Sequence, residues 1–261
     1  MPSNKKRKEI PATTASSSEG VPDETQMQTL SSVFKDRRLR LSDDKLSVTG
    51  SPGVGYQSVC SVYSAWSGKW YYEITVEDLP EGTHFRVGWS TRRTRFDQPV
   101  GSDCFSYAIR DSDCSRIALG KRWEYGKRQI KEGDIVGCLI NLPAHPTSPK
   151  LSGDPMTFFP DLLCDPENVN APDLLGEAAF VEWSVNGERM GTGFVNLASG
   201  EYHASVSVFS RAKLRLNFGP SFAFKPSDDC QPCTAMYIPK ELIRPKKRPA
   251  NSIPRGLTSG S

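Results

Sequence analysis

Apolar and polar residues alternate with a period of two through the middle of the chain. In the run WYYEITV, residues 70–76, the even-numbered positions are Trp, Tyr, Ile and Val, while Glu73 and Thr75 lie between them. In FRVGWS, residues 85–90, the apolar positions are Phe85, Val87 and Trp89. Because successive side chains of a strand point to opposite faces, both runs predict half-buried strands, and Arg86 is placed on the face away from the aromatics.

The same alternation predicts an antiparallel β-sandwich. Residues 135–142 are apolar on both faces and are expected in a central strand. Asn186-Gly187 predicts a tight hairpin, because a type I′ turn needs positive φ at both central residues. No helical period is sustained, so the fold class is all-β. Further strands are predicted near residues 39–48, 56–62, 104–110, 115–119, 134–141, 178–185, 204–210 and 212–218.

Composition divides the chain into one domain with an insertion and two tails. Residues 1–32 and 227–261 are rich in polar residues, basic residues and proline, so both are predicted to be flexible tails around a domain at 33–226. The stretch at about 143–177 is rich in proline and lacks alternation, which predicts a long surface insertion.

Basic residues are concentrated in one part of the predicted sandwich. Residues 86–131 hold eleven Lys and Arg against five Asp and Glu, so an acidic partner would be attracted to this segment. Arg86 and Arg110 interrupt aromatic strand patterns, where an unpaired charge is costly unless a ligand satisfies it. Auxiliary contacts to an acidic partner are predicted for Arg92, Arg93 and Arg95. The alternative is that such arginines pair with nearby acids of the same chain, such as Asp97, Asp103 and Asp111.

Several functional classes lack their sequence signatures. No run of about 18 apolar residues and no signal-peptide h-region is present, so neither secretion nor membrane binding is expected. The seven cysteines are odd in number and scattered, which favours a reducing compartment. Cys230 and Cys233 form one CxxC without a second ligand pair, so no metal site is predicted. No catalytic motif or phosphate-binding loop occurs, and we predict a protein that is not an enzyme and has no cofactor.

Two short basic clusters lie in the tails. One comprises Lys5, Lys6, Arg7 and Lys8, and the other comprises Lys246, Lys247 and Arg248. Such clusters are typical of nuclear-import signals, so the nucleus is the predicted location, and the tails are also candidates for contact with DNA.

Six short motifs follow one another along the chain: WYYEI at 70–74, RVGWS at 86–90, FSY at 105–107, GDIVG at 133–137, VNG at 185–187 and LNFGP at 216–220. In this order they resemble a SPRY domain over about residues 33–226. Ser42 to Leu46, and Ile140 to Pro143 before the insertion, make the chain more similar to the Ash-two/Bre-two family than to other SPRY proteins.

This resemblance implies a non-catalytic subunit of a COMPASS/MLL-type histone H3 lysine-4 methyltransferase complex. Such a subunit docks an acidic, phosphorylation-sensitive segment of the WD-repeat subunit of the retinoblastoma-binding-protein-five type, and so indirectly supports the SET-domain methyltransferase. The family docks this segment with an Arg in the RxGWS strand, a Pro and a Tyr in the next loop, and an Arg after FSY. These positions fall on Arg86, Pro99, Ser102 and Arg110, and Ser102 replaces the Tyr.

The sequence departs from the family in two further places. Longer family members carry a zinc-finger and winged-helix region before the SPRY domain, whereas about thirty residues precede the SPRY pattern here, so DNA binding through that region is not assumed. The family also binds a Dpy-thirty-type dimer through a C-terminal amphipathic helix. Prolines interrupt the corresponding segment, and only residues 236–243 offer a short anchor, which argues against this partner.

Two other classes of function remain open at this stage. One is a SPRY interaction module in RNA processing or in ubiquitin-ligase substrate recognition, although the P-loop, RING or SOCS elements typical of those proteins do not occur in the sequence. The other is an enzyme or sugar-binding sandwich, which would require a deep pocket with convergent carboxylates.

Overall fold

The computed structural model describes residues 28–144, 173–224, 226 and 229–236. Both basic clusters, most of the proline-rich insertion and nearly all of the 236–243 anchor lie outside the described residues. None of the described segments forms a helix with the length and hydropathy needed to cross a bilayer. The single helical element among them is a 3-10 turn, Cys233–Ala235.

Strands dominate the described ranges and follow one another along the chain with short turns. They are β1 (Leu30–Lys35), β2 (Arg40–Leu41), β3 (Ser47–Thr49), β4 (Gln57–Ser61), β5 (Gly68–Asp78), β6 (His84–Ser90), β7 (Ser106–Arg110), β8 (Arg116–Ala118), β9 (Lys121–Trp123), β10 (Ile135–Leu142), β11 (Phe180–Val185), β12 (Glu188–Val195), β13 (His203–Phe209), β14 (Lys213–Asn217) and β15 (Gln231–Pro232).

Within the described residues the strands form two sheets, which confirms the predicted all-β sandwich. Sheet A has seven strands in the order β1-β4-β13-β6-β7-β8-β9, and sheet B has the order β12-β11-β10-β5-β14-β3-β2. All of these neighbours are antiparallel, while β15 adds a short parallel pairing to β5. β10 lies between β5 and β11, as its apolar residues on both faces predict.

Aromatic residues join the two sheets in the core. Trp89 of sheet A is fully buried and meets Tyr72 of sheet B edge to face, with ring centroids 5.0 Å apart. The Tyr72 hydroxyl donates a 2.5 Å hydrogen bond to the Gly88 carbonyl, so the polar end of this buried ring is satisfied across the sheets. Trp70 is 8% exposed, and the predicted inward face of 70–76 is confirmed.

The sandwich extends past both predicted domain boundaries. β1 starts before residue 33, because Leu30 is fully buried and packs in the core. At the other end, Cys233 and Met236 are buried against the same core, so the fold continues beyond residue 226. The first and last described segments meet where the Gln28 amide donates to the Cys233 carbonyl, at 3.4 Å.

A buried carboxylate on the outer face of sheet B forms hydrogen bonds with the segment that follows β14. Glu73 is 1% exposed, although strand alternation turns it away from the core. Its oxygens accept hydrogen bonds from the backbone N–H groups of Ala223 and Phe224, both at 2.8 Å. The segment after β14 therefore covers the part of this face around Glu73.

Local pairings confirm some boundaries and correct others. The hairpin at Asn186-Gly187 is confirmed, since both residues have positive φ, 51° and 81°. The stretch 39–48 is not one strand, because a turn separates β2 from β3, and Lys45 in that turn has a φ of 54°. The insertion ends before 177, because Leu174 bridges to Ala198 and Leu175 donates to the Leu197 carbonyl.

Candidate acidic-peptide docking site

Arg86 and Arg110 lie directly opposite each other on the outer face of sheet A. β6 pairs with β7 in the register Arg86 to Arg110, so the two side chains leave the same face of the sheet. That face is outward, because Phe85 and Val87 on the alternate positions are fully buried in the core. Like charges facing each other across strands are unfavourable, so the pair favours a ligand that brings negative charge.

The Arg86 guanidinium is largely buried and has no carboxylate partner among the described residues. Its Cζ lies 5.2 Å from the centroid of the Tyr56 ring, and Nη1 donates to the Val100 carbonyl at 3.3 Å. Nε is buried without a hydrogen-bond partner. Burial lowers the pKa of Arg86, Tyr56 opposes this shift, the charge of Arg110 adds to it, and the more distant charge of Asp111 opposes it. The site therefore holds a desolvated cation that an anionic ligand would stabilise.

Arg110 is oriented by a carboxylate of the following turn. Its Nε donates to Asp113 Oδ1 at 2.9 Å, and Asp113 also accepts hydrogen bonds from the backbone and hydroxyl of Ser115. Partial burial raises the pKa of Asp113, but the bonds from Ser115 and the charge of Arg110 outweigh it, and the net pKa is lowered. Because Asp113 contacts only the Nε of Arg110, the edge of the Arg110 guanidinium formed by Nη1 and Nη2 can still bind a ligand.

Pro99 and Ser102 lie beside the arginine pair in one turn, where the Ser102 N–H donates to the Pro99 carbonyl at 3.1 Å. This turn rests on small polar residues of the outer face of sheet A. The Val100 N–H donates to the Ser207 hydroxyl at 2.6 Å, and the Gly101 N–H donates to the Ser106 hydroxyl at 2.8 Å. Short serine side chains let the loop approach the sheet closely.

Asp103 fixes the loop that carries this turn, residues 91–105. Its Oδ2 accepts from the Thr94 hydroxyl at 2.7 Å, and its Oδ1 accepts from the Phe105 N–H at 3.0 Å and the Ser106 hydroxyl at 2.8 Å. The carboxylate is buried. It closes the loop by the local hydrogen bonding for which Asp is favoured in turns.

The three auxiliary arginines lie in the same loop and have contacts within the chain. Arg92 pairs with Glu201 at 3.2 Å, Arg95 pairs with Asp97 at 3.0 Å, and the Arg93 guanidinium lies 5.7 Å from the Phe105 ring centroid. The alternative that acids of the same chain pair with the arginines holds for Arg92 and Arg95, and also for Arg110, which pairs with Asp113. Of the acids named for it, Asp97 pairs with Arg95, whereas Asp103 closes the loop and Asp111 contacts His84 at 3.0 Å. Contact of these three arginines with a partner stays a prediction.

Tyr56 and Asp113 complete the site and were not predicted from the sequence. Tyr56 precedes β4 and reaches Arg86 only through the pairing of β4, β13 and β6. The charge count over 86–131 signals a basic region, but it does not indicate which of its acids faces which arginine.

Among the described residues, no three His, Cys, Asp or Glu side chains converge as a metal site. Cys233 is buried and Cys230 is partly exposed.

The fold and the comparisons with known proteins define the class as a SPRY domain. The model of the SPRY domain family matches residues 69–148. The solved SPRY domain of human HERC1 superposes with a TM-score of 0.51 at 12% identity, covering 74% of this chain and 99% of that chain, a likeness that concerns the fold alone.

Within this class, the chain is similar to subunits of the Ash2 family. It is 29% identical over 196 residues to the Set1/Ash2 histone methyltransferase complex subunit ASH2 of Drosophila melanogaster, covering 72% of this chain and 35% of the relative. It is 28% identical over 207 residues to the complex subunit ash-2 of Caenorhabditis elegans, covering 72% of this chain and 36% of the relative. The chain thus spans about a third of the length of these relatives.

Proposed function

We propose that this chain is a non-catalytic SPRY adaptor subunit of a Set1/COMPASS-type histone H3 lysine-4 methyltransferase complex in the nucleus. It docks an acidic segment of the WD-repeat subunit, of the retinoblastoma-binding-protein-five type, and through that contact supports the SET-domain methyltransferase. The relatives named as subunits of Set1/Ash2 histone methyltransferase complexes support the choice of complex.

The desolvated Arg86 opposite Arg110 is the observation that carries this proposal. A rigid sheet presents both guanidiniums on one face, beside the Pro99–Ser102 turn, so a carboxylate meets oriented donors that lose little freedom on binding. Arg86 also lacks a carboxylate partner among the described residues. An acidic peptide would neutralise the pair and satisfy the guanidinium edges that remain unpaired.

Reconstitution with the WD-repeat subunit and the SET-domain enzyme tests the proposal. Arg86→Ala and Arg110→Ala should each weaken binding of the WD-repeat subunit by about 2 to 5 kcal/mol, the range for truncating one partner of a buried charge pair. Methylation of histone H3 lysine 4 should fall in parallel when the subunits are dilute.

Arg215→Ala is the matched control, because Arg215 is an exposed arginine of sheet B that pairs with Asp44 at 2.8 Å. It should bind like wild type. Thermal melts establish that all three variants fold. Wild-type affinity of both Arg86→Ala and Arg110→Ala for the WD-repeat subunit would refute the proposal.

A further inference from the structure

The outer face of sheet A carries a third arginine in line with the docking pair. Ala108 of β7 pairs with Ile117 of β8, and Ile117 pairs with Arg122 of β9. Residues in register across antiparallel strands share a face, and Ala108 shares its face with Arg110 two positions further on. Arg122 therefore leaves the same face of the sheet as Arg86 and Arg110.

Arg122 borders a surface depression of about 630 Å³ at the end of the β8–β9 hairpin. Its charged lining residues are three bases and two acids, namely Arg122, Lys127, Arg128, Asp113 and Glu124. The Arg122 side chain is 59% exposed and pairs with Asp113, and Arg128 pairs with Asp134. Lys127 is exposed and has no charged partner among the described residues. The depression is thus open to solvent and carries a small excess of basic side chains.

Asp113 links this depression to the docking pair. One carboxylate oxygen accepts from Arg110 Nε at 2.9 Å, and the other accepts from Arg122 Nη1 at 3.2 Å. A single carboxylate of the chain is shared by two arginines that face the same solvent region. An acidic group of a ligand can replace it at Arg122, while Asp113 keeps its contact with Arg110.

We propose that the acidic segment bound at Arg86 and Arg110 continues across β8 and β9 and places a second acidic group beside Arg122 and Lys127. This inference rests on the proposed function and adds a requirement on the partner's sequence. β6 and β9 are three strand spacings apart, about 14 Å at ~4.8 Å each, which an extended peptide crosses in about four to five residues. The partner therefore carries two acidic clusters separated by about that spacing.

Two synthetic peptides of about ten residues test the inference, each with spacing chosen from the strand separation and the reach of an extended chain. The two-cluster peptide has one pair of glutamates before a Gly-Ser spacer and one pair after it. In the one-cluster peptide, one of these two pairs is replaced by glutamines. Binding is measured to the full chain by fluorescence anisotropy at low salt. The variant Arg122→Ala/Lys127→Ala should bind the two-cluster peptide about three- to tenfold more weakly, the effect of losing two exposed ion pairs, with unchanged affinity for the one-cluster peptide.

Lys121→Ala is the matched control, because Lys121 lies on the same hairpin but on the opposite face of β9 from Arg122. It should leave both affinities unchanged. An equal loss for Lys121→Ala would overturn the inference, because the effect would then follow overall charge.

The outcomes separate this inference from the docking role itself. If Arg86→Ala weakens both peptides while Arg122→Ala/Lys127→Ala binds both like wild type, the second contact is refuted and the docking role stands. If neither peptide binds wild type, or Arg86→Ala has no effect on the one-cluster peptide, the docking role fails and the inference fails with it. If the double variant loses affinity for duplex DNA but not for the two-cluster peptide, the depression is a nucleic-acid site and the inference is overturned.

Discussion

Arg86 combines two properties that destabilise a folded protein. Its guanidinium is largely buried with an unpaired Nε, and a second arginine faces it across the strands. Contact with the Tyr56 ring offsets part of this cost, and Asp111 acts on the charge from a distance, but no carboxylate among the described residues forms an ion pair with Arg86. A side chain of this kind contributes little to the stability of the free protein, which favours the proposed role in binding.

This residue-scale account predicts that Arg86→Met separates stability from binding. Methionine has a similar length and no charge to desolvate, so the free energy of unfolding should equal that of wild type or rise by about 1 kcal/mol. Binding of the acidic WD-repeat segment should be lost. Chemical denaturation provides the measurement, with Trp89→Ala as a reference that should lose about 3 to 5 kcal/mol because the indole is fully buried. A loss above about 2 kcal/mol for Arg86→Met would mean that Arg86 stabilises the fold.

At the scale of elements, the site depends on a loop that is folded onto a sheet. Residues 91–105 have no regular structure after Ser90, yet Asp103 and the serines of sheet A hold them against the outer face. Pro99 and Ser102 are positioned by these contacts. The geometry of the arginine pair comes from the strands, and the geometry of its neighbouring turn comes from one buried carboxylate.

Asp103→Ala should therefore weaken docking without changing either arginine. The loop loses its closing acceptor, and we expect affinity for the acidic segment to fall by about 1 to 2 kcal/mol because the turn must be ordered on binding. Asp97→Ala is the matched control, since Asp97 is an exposed residue of the same loop that pairs with Arg95 and takes no part in closing the loop through Asp103. Isothermal titration calorimetry compares the two variants. Equal affinities for both would show that loop order does not matter for binding.

The elements also show how far the sequence alone predicts this molecule. Alternation locates β5 and β6 and the faces of their residues, because apolar side chains occupy every second position. It does not show that β5 is also buried on its outer face, where Tyr71 and Glu73 lie. It misses β9, whose three residues are all exposed, and it does not bound β12, where most residues are exposed. Such edge strands follow from pairing with their neighbours. Arg86 and Arg110 can be selected from pattern and resemblance, whereas the contacts of Tyr56 and Asp113 depend on registers between strands distant in sequence.

On the scale of the whole molecule, the two outer faces of the sandwich have different roles. The face of sheet B is covered in part by the segment after β14, which Glu73 holds in place. The face of sheet A is only partly covered by residues 91–105 and presents Arg86, Arg110 and Arg122. The three arginines therefore lie on one face of the sandwich, which suits the proposed capture of an acidic chain.

A double-mutant cycle tests this central claim most directly. Arg86→Ala is combined with single Glu→Gln changes in a synthetic peptide of the WD-repeat subunit's acidic segment, and the four affinities of each cycle are measured by calorimetric titration. The account predicts a coupling free energy of at least ~1 kcal/mol between Arg86 and one glutamate of the peptide. Additive losses for every acidic residue of the peptide, with coupling near zero, would contradict it.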